Sequence, residues 1–187
     1  KLFAETGGKN ATIVTALADR EQAIKNIIHS AFSNSGQKCS ATSLLVLEKE
    51  VFDDENFKKA LKDAVESKKV GSPWDMSTQI GPLIQLPNEH VLKVLTVNED
   101  ERWLITPTLN EYQMYPGVLW GVDPHDLAFQ HELFAPILSV ICANDLAHAV
   151  DIVNSTKFGL TSGIETLDAD EIEFWKQNIK LLFLELI

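Results

Sequence analysis

Two apolar rhythms alternate along this chain, and the alternation constrains its fold more than any single residue does. Over residues 19–32, Ala23, Ile24, Ile27, Ile28, Ala31 and Phe32 recur three and four apart, which places them on one stripe of a helix. Asp19 is the expected N-cap with Gln22 as its capping-box partner, and Gly36 the expected stop. Residues 42–48 are almost continuously apolar and rich in β-formers, the pattern of a strand buried on both faces. Helical spacing returns over 54–68, with Phe57, Ala60, Leu61, Ala64 and Val65 expected inward. All seven prolines lie between Pro73 and Pro136, so the middle reads as loops, short strands and turns around one helix at 89–97. A strand over 137–143, a helix over 146–154 with Ala149, Val150 and Val153 inward, and a strand over 160–166 follow. The chain ends on a helix over 168–179, capped by Asp168 with Glu171 at the box position, and an apolar stretch over 181–187. Leu2-Phe3-Ala4 reads as a strand already in progress. Strands alternating with helices of this length predict an α/β domain, a mostly parallel sheet flanked by helices.

Composition narrows what such a domain does. With 187 residues the chain can build one sizeable core, and a single domain spanning 1–187 is expected. The longest apolar run is four residues, against the ~18 of a spanning helix, so no membrane span is expected. Sixteen basic and 27 acidic residues give a net charge of −11, which phosphate backbones and anionic lipid repel, so nucleic acid and membrane surfaces are excluded as partners. Cys39 and Cys142 form no disulfide framework and fit a reducing, cytoplasmic setting. The first residue is Lys1 and no signal segment opens the chain, so the sequence reads as a piece of something longer.

Three short segments carry candidate chemistry. Cys39 stands in Ser35-Gly36-Gln37-Lys38-Cys39-Ser40-Ala41, between a helix and a buried strand, where α/β sheets place their sites. Lys38 beside it favours thiolate, the attacking form, and Gly36 lets backbone approach a carbonyl; taken alone, Cys39 reads first as a small buried hydrophobe. Cys142, in Val140-Ile141-Cys142-Ala143, has no neighbouring charge in sequence and reads as core. Glu5, in Glu5-Thr6-Gly7-Gly8-Lys9-Asn10, is a carboxylate on a glycine turn that could act as a general base or simply pair with Lys9. In His131-Glu132-Leu133-Phe134-Ala135-Pro136, Glu132 and Phe134 sit two apart, so a carboxylate and a flat ring point the same way on extended chain. The histidines His29, His90, His125, His131 and His148 show no metal-ligand spacing, so no metal is expected. No glycine-rich phosphate loop is present in the sequence.

Together the three segments resemble the aldehyde dehydrogenase superfamily, whose patterns are E-[LTS]-G-G-K-[NSP], G-Q-x-C and E-x-F-G-P. The order matches, and Glu5 and Cys39 stand 34 residues apart, as in the family. Ala135 departs from the family's glycine, and Leu133 is a milder departure. The likeness runs from residue 1 to about 180, the catalytic half of such an enzyme. Lys38-Cys39-Ser40-Ala41, Trp103-Leu104-Ile105-Thr106-Pro107, Tyr115-Pro116-Gly117-Val118 and Phe158-Gly159-Leu160-Thr161-Ser162-Gly163 are most similar to the Δ1-pyrroline-5-carboxylate dehydrogenase branch, as in bifunctional proline-utilisation proteins.

The resemblance implies roles. Cys39 would attack the aldehyde carbon of glutamate γ-semialdehyde, hydride would pass to NAD, and Glu5 would activate the water that hydrolyses the thioester. Glu132 would bind the nicotinamide ribose, Phe134 would lie beside the nicotinamide, and Ser40 with Lys38 would help hold the substrate carboxylate. It also implies a parent that is a homo-oligomer, with a proline dehydrogenase domain fused in some branches. Most of the NAD contact would come from a nucleotide-binding domain outside this sequence, and residues 180–187 depart from the family pattern. The isolated chain is therefore expected to be inactive or nearly so. Other aldehyde substrates, a non-catalytic module, and a thiol hydrolase pairing Cys39 with a histidine remain alternatives.

Overall fold

The computed structural model describes residues 7–97, 102–180 and 183–186. The expected strand at residues 2–4, and Glu5, lie outside the described residues. The chain forms β1 (Asn10–Val14), α1 (Arg20–Phe32), β2 (Thr42–Glu48), α2 (Lys49–Phe52), α3 (Glu55–Glu66) and α4 (Glu89–Val97). Short strands β3 (Trp103–Ile105), β4 (Leu109–Asn110), β5 (Gln113–Met114) and β6 (Gly117–Trp120) follow, then α5 (Leu127–Gln130) and β7 (Ile137–Ala143). The last elements are α6 (Leu146–Asn154), β8 (Thr161–Glu165), α7 (Ala169–Asn178) and β9 (Phe183–Leu186).

Seven strands make one sheet in the order β3-β6-β7-β2-β1-β8-β9, while β4 and β5 pair separately. Within the described part of this sheet the edge pair β3–β6 is antiparallel, and β6–β7, β7–β2, β2–β1, β1–β8 and β8–β9 are parallel. The alternation of side chains along a strand explains the layers. In β2, Leu44 and Val46 face a cluster with Val91, Val94, Phe129, Val150 and Trp175, so α4, α5, α6 and α7 cover that side. Leu45 and Leu47 face the other way, onto Ile24, Ile27, Phe32, Phe57 and Leu61 of α1 and α3. All four β2 residues are fully buried, and each such side chain is worth roughly 1.5–3 kcal/mol of transfer free energy.

Four details differ from expectation. Helix α1 ends at Phe32 rather than at Gly36, because Ser33 turns to extended backbone and Asn34, Ser35 and Gly36 all take positive φ (52°, 59° and 68°). Asp19 caps α1 by accepting from the Gln22 amide, but the Gln22 side chain bonds Asn26 instead of closing the box. Ala60 is exposed, since the buried face of α3 is only Phe57, Leu61 and Val65. Cys142 is half-buried at the end of β7, where Lys49 and Asp53 approach it in space.

The parallel strands begin level with one another: Asn10 pairs with Thr42, Gly117 with Ile137, and Ala11 with Ser162. Their amino ends therefore form one rim, and the segments around Gly8, Cys39, Glu132 and Phe158 all feed into it. Open parallel sheets ordinarily place ligands at the opposite, carboxyl ends, so the loop at Cys39 sits on the less usual rim.

Candidate active site

Three segments far apart in sequence meet at the amino-end rim. Gly8 donates its N–H to Glu132 Oε1 at 3.0 Å across 124 residues. A Cβ on Gly7 would collide with the Glu132 carboxylate, and a Cβ on Gly8 would stand 2.6 Å from the Cys39 carbonyl oxygen. The glycine pair is thus required by close approach: its bare backbone fits between the thiol segment and the carboxylate. A Cβ on Gly36 would likewise collide with the Ala135 carbonyl, so the segment leading to Cys39 packs on the segment following Glu132.

Cys39 is exposed, on the turn closed by the Ala41 N–H donating to the Lys38 carbonyl at 3.1 Å. Lys38 and Ser40 flank it and are exposed as well. The turn is held from beneath by Asn10, whose Nδ2 donates to the carbonyls of Cys39 (2.6 Å) and Ala41 (3.0 Å). Gln37 braces its near side, accepting from the Ile84 N–H at 2.9 Å and donating to the Asn34 carbonyl at 3.2 Å. Ser35 donates to the Gly81 carbonyl at 2.6 Å. These bonds oppose the cost of left-handed backbone at Asn34 and Ser35, of order 1–2 kcal/mol per residue. Phe134 is partly exposed at φ 52° and lines a small cleft with Gln37 and Ile84. Ala135 does not carry the positive φ; Phe134 does, so the alanine standing where the family has glycine is accommodated without strain of its own.

Two titratable groups near the site, Lys9 and His131, were given no role of their own from the sequence. Lys9 is buried, 2% exposed, and donates to the Ser43 carbonyl at 3.3 Å. Burial drives its ammonium down to about 7, against a partial pull upward from Glu132. His131 stacks on His90 of α4, centroids 4.2 Å apart, and burial together with the charges of His90, Lys157, Lys93 and Lys9 lowers its pKa. The signal that could have found Lys9 was its place between a glycine pair and a strand buried from its first residue.

Glu132 and Phe134 suit a ribose diol and a flat ring: a carboxylate fixed by a backbone N–H, and beside it an aromatic ring partly open to solvent. Among the described residues no cluster of three or more His, Cys, Asp or Glu could hold a metal ion. Among the same residues no helix is long and apolar enough to cross a membrane.

Residues 1–181 match the family model described as the aldehyde dehydrogenase family. A 1-pyrroline-5-carboxylate dehydrogenase of Geobacillus sp. (strain WCH70) is 33% identical over 178 residues, covering 92% of this chain and 34% of the relative. Proline utilization A from Corynebacterium freiburgense superposes with a TM-score of 0.90 at 39% identity, covering 97% of this chain and 19% of that one. A 1-pyrroline-5-carboxylate dehydrogenase from Thermus with bound NAD superposes at 0.87 with 31% identity, covering 97% of this chain and 36% of that one. The chain thus spans about a third of the length of the curated relatives it matches.

Proposed function

Because this chain belongs to the aldehyde dehydrogenase family, we propose that it is the thiol-bearing domain of an enzyme oxidising glutamate γ-semialdehyde to glutamate with NAD. The observation that carries the reading is the convergence of Gly8, Cys39 and Glu132 on one rim.

In the proposed reaction the Cys39 sulfur forms a bond to the aldehyde carbon, and the carbonyl electron pair moves to oxygen. The backbone N–H of Cys39 helps hold that oxyanion. NAD, when bound, takes up the hydride, and Glu132 and Phe134 would hold its nicotinamide end. Loss of hydride leaves a thioester on Cys39. Glu5 then removes a proton from water, which attacks the thioester carbon and expels the Cys39 thiolate. Such a general base is typically worth 10²–10⁴-fold. Ser40 and Lys38, exposed on either side of the thiol, would meet the substrate carboxylate.

The test uses the thiols. Glutamate γ-semialdehyde is expected to slow alkylation of Cys39 by iodoacetamide and to leave Cys142 unaffected. Equal, slow alkylation of both thiols with no protection would overturn the proposal in favour of a non-catalytic module. Protection by simple aldehydes as strong as by the semialdehyde would point to another substrate in the same family. A thiol hydrolase needs a histidine against Cys39, whereas the described partners of the Cys39 turn are Asn10 and the turn's own backbone.

Catalysis by the proposed route also needs groups this sequence does not supply, above all the bulk of the NAD site. Turnover by the isolated chain is therefore expected to be negligible, and robust NADH production from pyrroline-5-carboxylate would refute that part. The parent is proposed to be a cytoplasmic homo-oligomer. The 19% share of the Corynebacterium protein that this chain matches leaves room for a fused proline dehydrogenase segment.

A further inference from the structure

We propose that Asn10 is the positioning residue of the nucleophile, and that it couples the Cys39 turn to the first residue of β8. The idea rests on the reading of Cys39 as the attacking thiol.

Asn10 is 3% exposed, and its side-chain amide is satisfied on both sides. Both donor positions of Nδ2 are used, on the carbonyls of Cys39 and Ala41. The acceptor Oδ1 takes the N–H of Thr161 at 3.2 Å, across 151 residues. One planar group thus joins three segments: the start of β1, the thiol turn and the start of β8. Little slack is available, because a Cβ on Gly8 would stand 2.7 Å from Asn10 Oδ1 and 2.6 Å from the Cys39 carbonyl oxygen.

The geometry bears on chemistry through the peptide plane. The Cys39 carbonyl belongs to the peptide that leads away from the nucleophile's own Cα. Fixing that oxygen at 2.6 Å fixes the plane's rotation and with it the direction in which the thiol leaves the turn. Among the described hydrogen bonds, the turn's internal one is Ala41 N–H to Lys38, which closes the loop without orienting the Cys39 carbonyl. A thiol that must approach an aldehyde carbon from one face of the carbonyl plane depends on such orientation, and a misplacement of about 1 Å can cost 10²-fold. Asn10 touches no reacting atom, so its part is to position.

Thr12 provides the control. It lies two residues along β1, is 2% exposed, and makes a buried hydrogen bond to Thr42 at 2.9 Å without touching the turn. Removing that hydroxyl therefore destabilises the same strand pair and leaves the Cys39 carbonyl clamped.

The experiment compares the chain carrying Cys142→Ser with the same chain carrying Asn10→Ser or Thr12→Val. Carboxamidomethylation of Cys39 is expected to shift the Thr161 amide resonance in the parent and in Thr12→Val. In Asn10→Ser the shift should be about fivefold smaller, since the link is cut. Protection of Cys39 by glutamate γ-semialdehyde should weaken about tenfold in Asn10→Ser while its alkylation rate stays within about twofold, because orientation and not thiol ionisation is lost. A Thr161 response undiminished in Asn10→Ser, or equally diminished in Thr12→Val, overturns the inference. If Asn10→Ser does not fold, Asn10→Asp, which keeps the Thr161 acceptor but has no donor for the two carbonyls, is read by the same two measures. Failure of the proposed function has a separate signature: no aldehyde protection in the parent chain, with the Thr161 response intact.

Discussion

The two rims of the sheet are built from opposite chemistry. At the amino ends the chain places glycines, an exposed thiol, a buried amide and a buried lysine, all packed against one another. At the carboxyl ends it places acids. Glu165 is buried and holds Asn26 at 3.1 Å, and Glu48 accepts the Ala16 N–H at 2.7 Å. Burial is the leading cause that raises both carboxyls, with Glu171, Asp145, Glu50 and Asp19 adding repulsion. The amino rim buries Lys9 and the carboxyl rim buries Glu165, so protonation acts on the two in opposite directions.

The largest expected effect separates the two thiols, one on each rim. Cys39→Ala should abolish adduct formation with an aldehyde, and Cys142→Ser should leave it unchanged, both read by native mass spectrometry of the unreduced thiohemiacetal. Next comes Gly36→Ala, which joins positive φ to a collision with the Ala135 carbonyl. We expect a loss of about 3 kcal/mol in urea unfolding; a loss below 1 kcal/mol would mean that the two loops of the amino rim are not tightly joined.

The opposed charges predict opposed pH profiles. Lys9 is neutral more readily in the folded chain, so its share of stability is complete above the unfolded lysine value of about 10.4 and is lost as pH falls toward 7. Lys9→Met should therefore gain less in Tm than the wild type between pH 7 and pH 9.5. Glu165 is raised, so its share is complete below the unfolded value of about 4.3 and is lost as pH climbs through the folded one. Glu165→Gln should match the wild type near pH 4 and exceed it in Tm at pH 7. Parallel pH profiles for the two variants would remove the contrast between the rims.

The smallest effect tests whether the rims are independent. Asp54 caps α3 by accepting from Asn56 and Phe57, so Asp54→Ala should cost about 1 kcal/mol. Because this cap lies at the carboxyl rim, the alkylation rate of Cys39 should not change.

Much of this was legible in the sequence. β2, β7, α4 and α6 follow from apolar runs whose ends carry turn or capping residues, and their bounds agree with the pattern. The pairing of Cys39 with Glu132 was reachable only through the joint resemblance of three motifs, since nothing local to either residue points to the other. The Asn10 clamp was not legible, because its partners lie 29 to 151 residues away and one amide in a motif looks like any other. The stop of α1 was misplaced for a related reason: Ser35 leaves helical backbone while donating to the Gly81 carbonyl, and Gln37 accepts from the Ile84 N–H, contacts that local propensity cannot contain. The choice of rim was legible but misread: a segment between a helix and the strand after it lies at that strand's amino end, whereas the general rule for parallel sheets puts sites at the other end.

That choice has an electrostatic consequence. In a parallel layer each crossover helix starts at the carboxyl rim and finishes at the amino rim. The positive ends of α1, α3, α6 and α7 therefore gather beside Glu48 and Glu165, and each is already answered by its own aspartate: Asp19, Asp54, Asp145 and Asp168. The rim that carries Cys39 faces the negative, carbonyl-bearing ends of α1, α6 and α7. A pyrophosphate approaching that rim meets helix dipoles of the wrong sign. A dinucleotide brought to the thiol, as proposed, would gain nothing for its phosphates from these helix ends and would be held on this side by sugar and ring.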